Sequence, residues 1–268
     1  MAEVVDDVHP GANLEIADSF RRRDTQMRSR WRVCRPIIIA TGLAIPITGS
    51  SVGAEEPEDA ASIQWTDRFD VAGRDFASVG RNGYFILEPG YREVLAGTEG
   101  DDSIVLEITV LDETEIVDGI ETRVVEERES ANGKLIEVSR NFFAFCKHTS
   151  SVFYFGEDVD MYKGGRVVSH EGSWRAGVDS ARAGLMIPGL VLVGSAYYQE
   201  IAPGVAMDRA RIVRFDSVME TPAGRFERCL VTEETTPLEP TKGHERKVYA
   251  PGIGLIKDAS LLLVHYGP

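Results

Sequence analysis

"IETRVVEERESANGKLIEVSRNFFAFC", residues 120–146, decides the class of fold. At its middle stands Asn132-Gly133, the dipeptide favoured by type I′ hairpin turns because both central positions need positive φ. The flanks are rich in Val, Ile, Phe and Thr and lack the three-to-four spacing of an amphipathic helix. The stretch therefore reads as two antiparallel strands joined by a tight turn.

The pattern extends in both directions. In "SIVLEITVLDETEIV" (103–117), Ile104, Leu106, Ile108 and Val110 occupy one face, while Val105, Glu107 and Thr109 occupy the other. "VFYFGEDVDMY" and "RVVSHEGSW" flank Lys163-Gly164-Gly165, and "RARIVRFDSVMET" and "GRFERCLVTEET" flank Pro222-Ala223-Gly224. A last pair, "HERKVYA" and "LIKDASLLLVHY", closes the chain. Hairpin following hairpin predicts an all-β antiparallel meander, a curved sheet or half-open barrel, over a single domain at 81–268.

Two features interrupt this meander. "AGLMIPGLVLVGSAYYQEIAPG" (183–204) holds consecutive apolar residues and reads as a loop packed over the open face of the sheet, the alternative being a strand buried on both sides. Pro-Gly recurs in "ILEPGYREVLAG", "EIAPGVAMDRA" and "VYAPGIGLIKD". Pro fixes φ and Gly tolerates positive φ, so these are expected corners where long strands bend around a barrel-like core. At the third, Ile253, Leu255 and Ile256 are expected to re-enter the core at a new angle.

The N-terminal region has a different character. From Met27 come four arginines, an apolar run from Pro36 to Thr48, and small residues ending at Ala54. Basic, apolar and small-residue regions in that order define a secretory signal, so residues 1–54 are expected to be removed. An uncleaved N-terminal anchor is the alternative, although the run is short for a membrane span. Residues 55–80 read as an irregular acidic linker. The whole chain has a net charge of −14, and removing residues 1–54 takes away seven arginines and six acidic residues, leaving 22 basic against 37 acidic side chains. Such a field repels phosphate backbones and argues against a nucleic-acid partner. Cys146 and Cys229 remain after cleavage, either as one disulfide or as two buried thiols.

Residues 221–237, "TPAGRFERCLVTEETTP", and the following "ERKVYAPGIGLIKD" resemble the C-terminal half of uncharacterised exported bacterial β-proteins. That group carries a TPAG-x-F hairpin followed by a YAPG-x-GL-[IV] strand, and these motifs cover roughly a fifth of this chain. It is similar in type to the curved half-barrels of periplasmic lipoprotein carriers, which hold acyl chains in a concave face. The resemblance implies architecture and export, and it carries over no catalytic residue.

Catalytic signatures are missing from the part expected to remain after cleavage: residues 55–268 hold no G-x-S-x-G, H-E-x-x-H, Walker loop or C-x-x-C. His170 and Glu171 form the most interesting polar pair, beside Trp174 and Arg175. Strand neighbours point to opposite faces, however, and share a site only if a bulge rotates them. Glu157, Asp158 and Asp160 near a hairpin tip, and the acidic residues of "VVEERES" (124–130) and "VTEETTPLE" (231–239), read as solvated edges that discourage sheet-to-sheet pairing. No metal site is assigned. The aromatic lead is Trp174, Tyr197 and Tyr198, with Glu200 and His170 nearby, as candidate ligand-binding residues. Met186, Ile187, Leu190 and Leu192 either line that cavity or plug the barrel.

The sequence is thus read as an exported protein, periplasmic or extracellular, that acts without a cofactor as a binding or envelope-associated module. Its expected partner is an apolar or amphipathic small molecule or lipid held in the concave face, with membrane contact only through an uncleaved N-terminal segment. The rivals are a hydrolase-like enzyme using His170 with a nearby carboxylate, and a structural protein whose sheet edges bind another chain. Oligomeric state is left open.

Overall fold

The computed structural model describes residues 63–241 and 243–268; the expected signal segment lies outside them. The sheet is built from strands β1 (Arg92–Glu99), β2 (Asp102–Val117), β3 (Ile120–Ala131), β4 (Lys134–Cys146), β5 (Ser151–Lys163), β6 (Arg182–Ile187), β7 (Ala196–Tyr198), β8 (Glu200–Ile201), β9 (Arg209–Thr221), β10 (Gly224–Thr235), β11 (Glu245–Ala250), β12 (Gly254–Asp258) and β13 (Leu261–Gly267). Strand order is β7-β9-β10-β11-β12-β13-β1-β2-β3-β4-β5-β6-β8, with every pairing antiparallel. The expected all-β meander is present, and it curls into a nearly closed barrel.

Closure depends on the segment expected to be a covering loop. β7 and β8, at the two ends of the strand order, are separated in sequence by Gln199 alone. On one side Ala196, Tyr197 and Tyr198 pair with Arg211, Ala210 and Arg209; on the other, Glu200 and Ile201 pair with Ala183 and Arg182. The backbone N–H groups of Gln199 and Glu200 both donate to the Asp208 carbonyl, at 2.8 and 3.1 Å. One short stretch of chain therefore changes partner at Gln199 and seals the seam, which satisfies edge groups that an open sheet would leave exposed. The loop expectation for 183–204 is corrected accordingly. At its tip Leu190 is 73% exposed while Val191 packs against the core, and Ile187 is fully buried.

Turn chemistry explains the hairpins. Asn132 and Gly133 have φ of 52° and 72°, as the type I′ expectation requires. The Pro-Gly corners at 203–204 and 251–252, by contrast, reverse the chain rather than bend a continuing strand. Gly252 has φ of 73° and Ala250 pairs with Gly254, so Pro251-Gly252-Ile253 is the tight turn between β11 and β12. Likewise "LIKDASLLLVHY" is two strands, because Ala259, at φ 47°, turns β12 back into β13.

Residues 63–80 are mostly irregular in backbone but pack on the outside of the wall. The Phe76 ring meets Phe153 and Phe155 edge-on at 5.5 and 5.6 Å, and Phe69 meets Phe153 at 5.9 Å. Phe153 and Phe155 alternate along β5 with the inward Tyr154, so this segment covers their outer faces. A hairpin of Gly80–Asn82 and Phe85–Leu87 then closes one end of the barrel. Asn82 Nδ2 donates to the Ser150 and Pro188 carbonyls at 2.7 and 3.1 Å, and on the opposite wall the Gly252 N–H donates to the Gly83 carbonyl at 2.8 Å. Leu87 is fully buried beneath this cap.

Candidate functional site

Register determines which side chains meet inside the barrel. Glu93 on β1 pairs with Ile108 on β2, Ile108 with Glu127 on β3, and Glu127 with Ser139 on β4. Paired residues share a face, so two carboxylates flank Ile108 in one inward row. The next row holds Leu106, Glu129 and Glu137. Across the barrel, Thr232 on β10 pairs with Lys247 on β11, and Lys247 with Asp258 on β12.

Two cavities occupy the interior. The first, of about 60 Å³, is lined by Phe85, Ile108, Val110, Val125, Phe143 and Leu255 on its apolar side, and by Glu93, Glu127, Lys247, Tyr249 and Asp258 on its polar side. The second, of about 90 Å³, lies toward the Asn132-Gly133 end and shares Glu127 and Asp258 with the first, adding Glu129, Glu137 and Ser139. Each is several times the roughly 10–15 Å³ that one water needs, and together they suit a short amphipathic molecule. The interior is therefore apolar at the capped end and acidic toward the other.

Charge inside this space is unbalanced. Lys247 is the only basic side chain lining either cavity, against five acidic ones. Its Nζ lies 3.3 Å from Glu234 Oε2 and 3.6 Å from Asp258 Oδ2, and these carboxylates hold its pKa well up despite burial. The remaining carboxyls respond with raised pKa values. Burial raises Glu127 to about 7, with the Lys247 charge opposing it, and burial together with Glu137 raises Glu129 to about 7. Glu157 rises to about 8 through burial and the charge of Glu127, and Glu200 is pushed well up by burial, Glu157 and Asp208.

Glu93 is the most constrained of the group. It is only 8% exposed, and burial drives its pKa well above the usual carboxylate range. Its carboxyl takes the Leu255 backbone N–H, yet Oε1 has no hydrogen-bond partner. The Tyr249 hydroxyl, on a residue 2% exposed, is also unpartnered, as is that of Tyr197. Buried polar groups are nearly always satisfied, and Glu93 and Tyr249, unlike Tyr197, line the first cavity, where a bound molecule can supply the missing partner.

The structure places the sequence-derived candidates in two environments. Trp174, Tyr197 and Glu200 face inward, though none lines either cavity: Trp174 pairs with Glu157 and meets the Tyr154 ring at 5.4 Å, and Tyr197 pairs with the buried Ala210. Tyr198 faces outward, 6.3 Å from Trp65, near Arg209, whose guanidinium lies over the Trp65 ring at 4.2 Å. His170 stands at the rim with 71% of its side chain exposed, its Nδ1 2.8 Å from Asp160 Oδ1 and 3.0 Å from the Val159 carbonyl. Of the apolar run, Met186 lines the first cavity, while Leu190 and Leu192 are exposed.

The acidic residues read as solvated edges require correction. Glu127, Glu129, Glu157 and Glu234 all face inward, because each sits two residues from, or directly across from, a core position. Their alternates make ion pairs: Asp158 pairs with Arg175 at 2.6 Å as expected of an edge, and the buried Glu233 pairs with Arg211 at 3.3 Å and with His244. Val125 to Glu127 to Glu129 is the signal in the sequence, since period-2 counting from a core valine carries both glutamates indoors. Cys146 and Cys229 are both buried free thiols. No cluster of three His, Cys, Asp or Glu suited to a metal occurs among the described residues.

Fold and site together define a class, a nearly closed antiparallel barrel with one capped end and an acidic lumen. Set beside protein-family models, curated proteins and solved structures, the chain matches none of them.

Proposed function

We propose that this protein is an exported binding module that holds a short amphipathic molecule inside its barrel. The apolar body lies against Ile108, Val110, Val125, Phe143 and Leu255, and the polar end meets Glu93 and Tyr249. The observation that carries this reading is the pair of orphaned buried oxygens, Glu93 Oε1 and Tyr249 Oη, on the wall of a mostly apolar cavity. Export is supported by the basic, apolar and small-residue order of residues 27–54 and by the resemblance of the TPAG and YAPG segments to exported β-proteins. Barrels of this kind serve many roles, so the reading rests on the site and not on the fold.

Native mass spectrometry of the protein purified from its own host tests it. A non-covalent mass present under gentle conditions, lost on denaturation and missing from a cavity-filling Val125→Phe variant supports the reading. An unliganded mass in every preparation, with no thermal stabilisation by any amphipath offered, overturns it.

A further inference from the structure

We infer that the molecule held in the lumen carries a primary ammonium group, received by Glu93, Tyr249 and Glu127. This rests on the lumen-binding reading above and names the chemistry of the polar end. An –NH₃⁺ has three donors and no acceptor. The wall of the first cavity offers a matching set of oxygens. Glu93 Oε1 and the Tyr249 hydroxyl have no partner, and Glu127 makes no ion pair among the described residues. Glu93 and Glu127 flank Ile108 from β1 and β3, their backbones about 10 Å apart across β2, and both line the first cavity.

Charge selects a cation over a neutral or anionic head. Lys247 already serves Glu234 and Asp258, so no protein cation on the lining remains for Glu93 and Glu127. An anion would enter a space with five acidic side chains and one lysine. A neutral hydroxyl would satisfy one orphan but supply no counter-charge, whereas an ammonium favours the ionised form of Glu93 and Glu127 and makes charge-assisted bonds, roughly twice as strong as neutral ones. Gly254 keeps the receiving end open, because a Cβ at that position would occupy the space of Glu93 Oε1.

Isothermal calorimetry on the folded chain at neutral pH, with n-butylammonium and 1-butanol as shape-matched probes, tests the inference. The ammonium is expected to bind at least about tenfold more tightly. Glu93→Gln, which keeps shape and removes charge, is expected to abolish that preference, and Val125→Phe to abolish binding of both probes. Tyr249→Phe provides a second variant if Glu93→Gln does not fold, and is expected to weaken the ammonium more than the alcohol. Equal binding of both probes, lost in Val125→Phe, overturns the ammonium assignment while leaving the lumen reading intact. Binding of neither probe, or ammonium binding that survives both Glu93→Gln and Val125→Phe, overturns both.

Discussion

Glu93 and Gly254 share one small volume: a Cβ built on Gly254 would overlap the Glu93 Oε1, and Gly254 itself sits at φ +128°. The second glycine of the "PGIG" stretch is therefore required twice, by its backbone and by the carboxyl beside it.

Gly254→Ala is expected to cost at least about 2 kcal/mol, combining an unfavourable φ with displacement of a buried carboxyl. Gly252→Ala is the control. It has a positive φ but nothing near its Cβ, so a loss of only about 1 kcal/mol is expected. Urea unfolding of the two variants gives the comparison.

The buried carboxylates make stability depend on pH with the less usual sign. Glu127 and Glu129 near 7 and Glu157 near 8 lie above the ordinary 4.5, so between those values the folded state binds more protons than the unfolded one. Stability then falls as pH rises from about 5 to 8. Glu233, lowered by His244 and Arg211, acts oppositely, its contribution being lost only on acidification below 4.5. The melting temperature is expected to drop on the order of 5 °C between pH 5.5 and pH 8. Glu127→Gln should flatten that slope, and calorimetric scans across the range measure it.

Arg123 holds the outer segment to the wall. Its Nε donates to the Ser78 carbonyl at 2.9 Å, and Nη1 reaches the Leu111 and Glu113 carbonyls at 3.3 and 3.4 Å, where β2 shifts register between Val110 and Thr114. Arg123→Ala strands the buried Ser78 carbonyl and should cost about 2 kcal/mol. Faster amide exchange is expected at residues 76–80 and 111–114, with the β9–β10 hairpin unchanged.

The seam is expected to be the weak line of the barrel. A Cβ on Gly184 would run into the Gln199 backbone carbonyl, so Gly184→Ala should push β6 away from β8. Hydrogen exchange at 182–201 should rise well before global unfolding, while the β2–β3 amides stay protected.

How far the sequence reads through to this structure follows from the range of each interaction. Asn132-Gly133 and the alternation of Ile104, Leu106, Ile108 and Val110 are local signals, and both hold in the fold. Closure at Gln199 depends on partners at Asp208 and Ala183, chosen only when the sheet curls, so no local pattern announced it. The acidic lumen was obscured for a different reason. Glu in a strand ordinarily marks a solvated face, and Glu127 and Glu129 are indoors because register from the Asn132-Gly133 turn places them opposite Ile108 and Leu106. Tyr197 and Glu200 stand out in the sequence because they fall where the meander breaks, and neither lines either cavity. His170 was drawn to attention by its chemistry alone, and it lies at the rim.

Methyl NMR tests the central claim most directly. With labelled Ile, Leu and Val, titration with an amphipathic ammonium such as n-butylammonium is predicted to shift Ile108, Val110, Val125 and Leu255 saturably, leaving the exposed Leu190 and Leu192 unmoved. Shifts confined to the exposed methyls, or none at all at millimolar probe, would contradict an interior binding site.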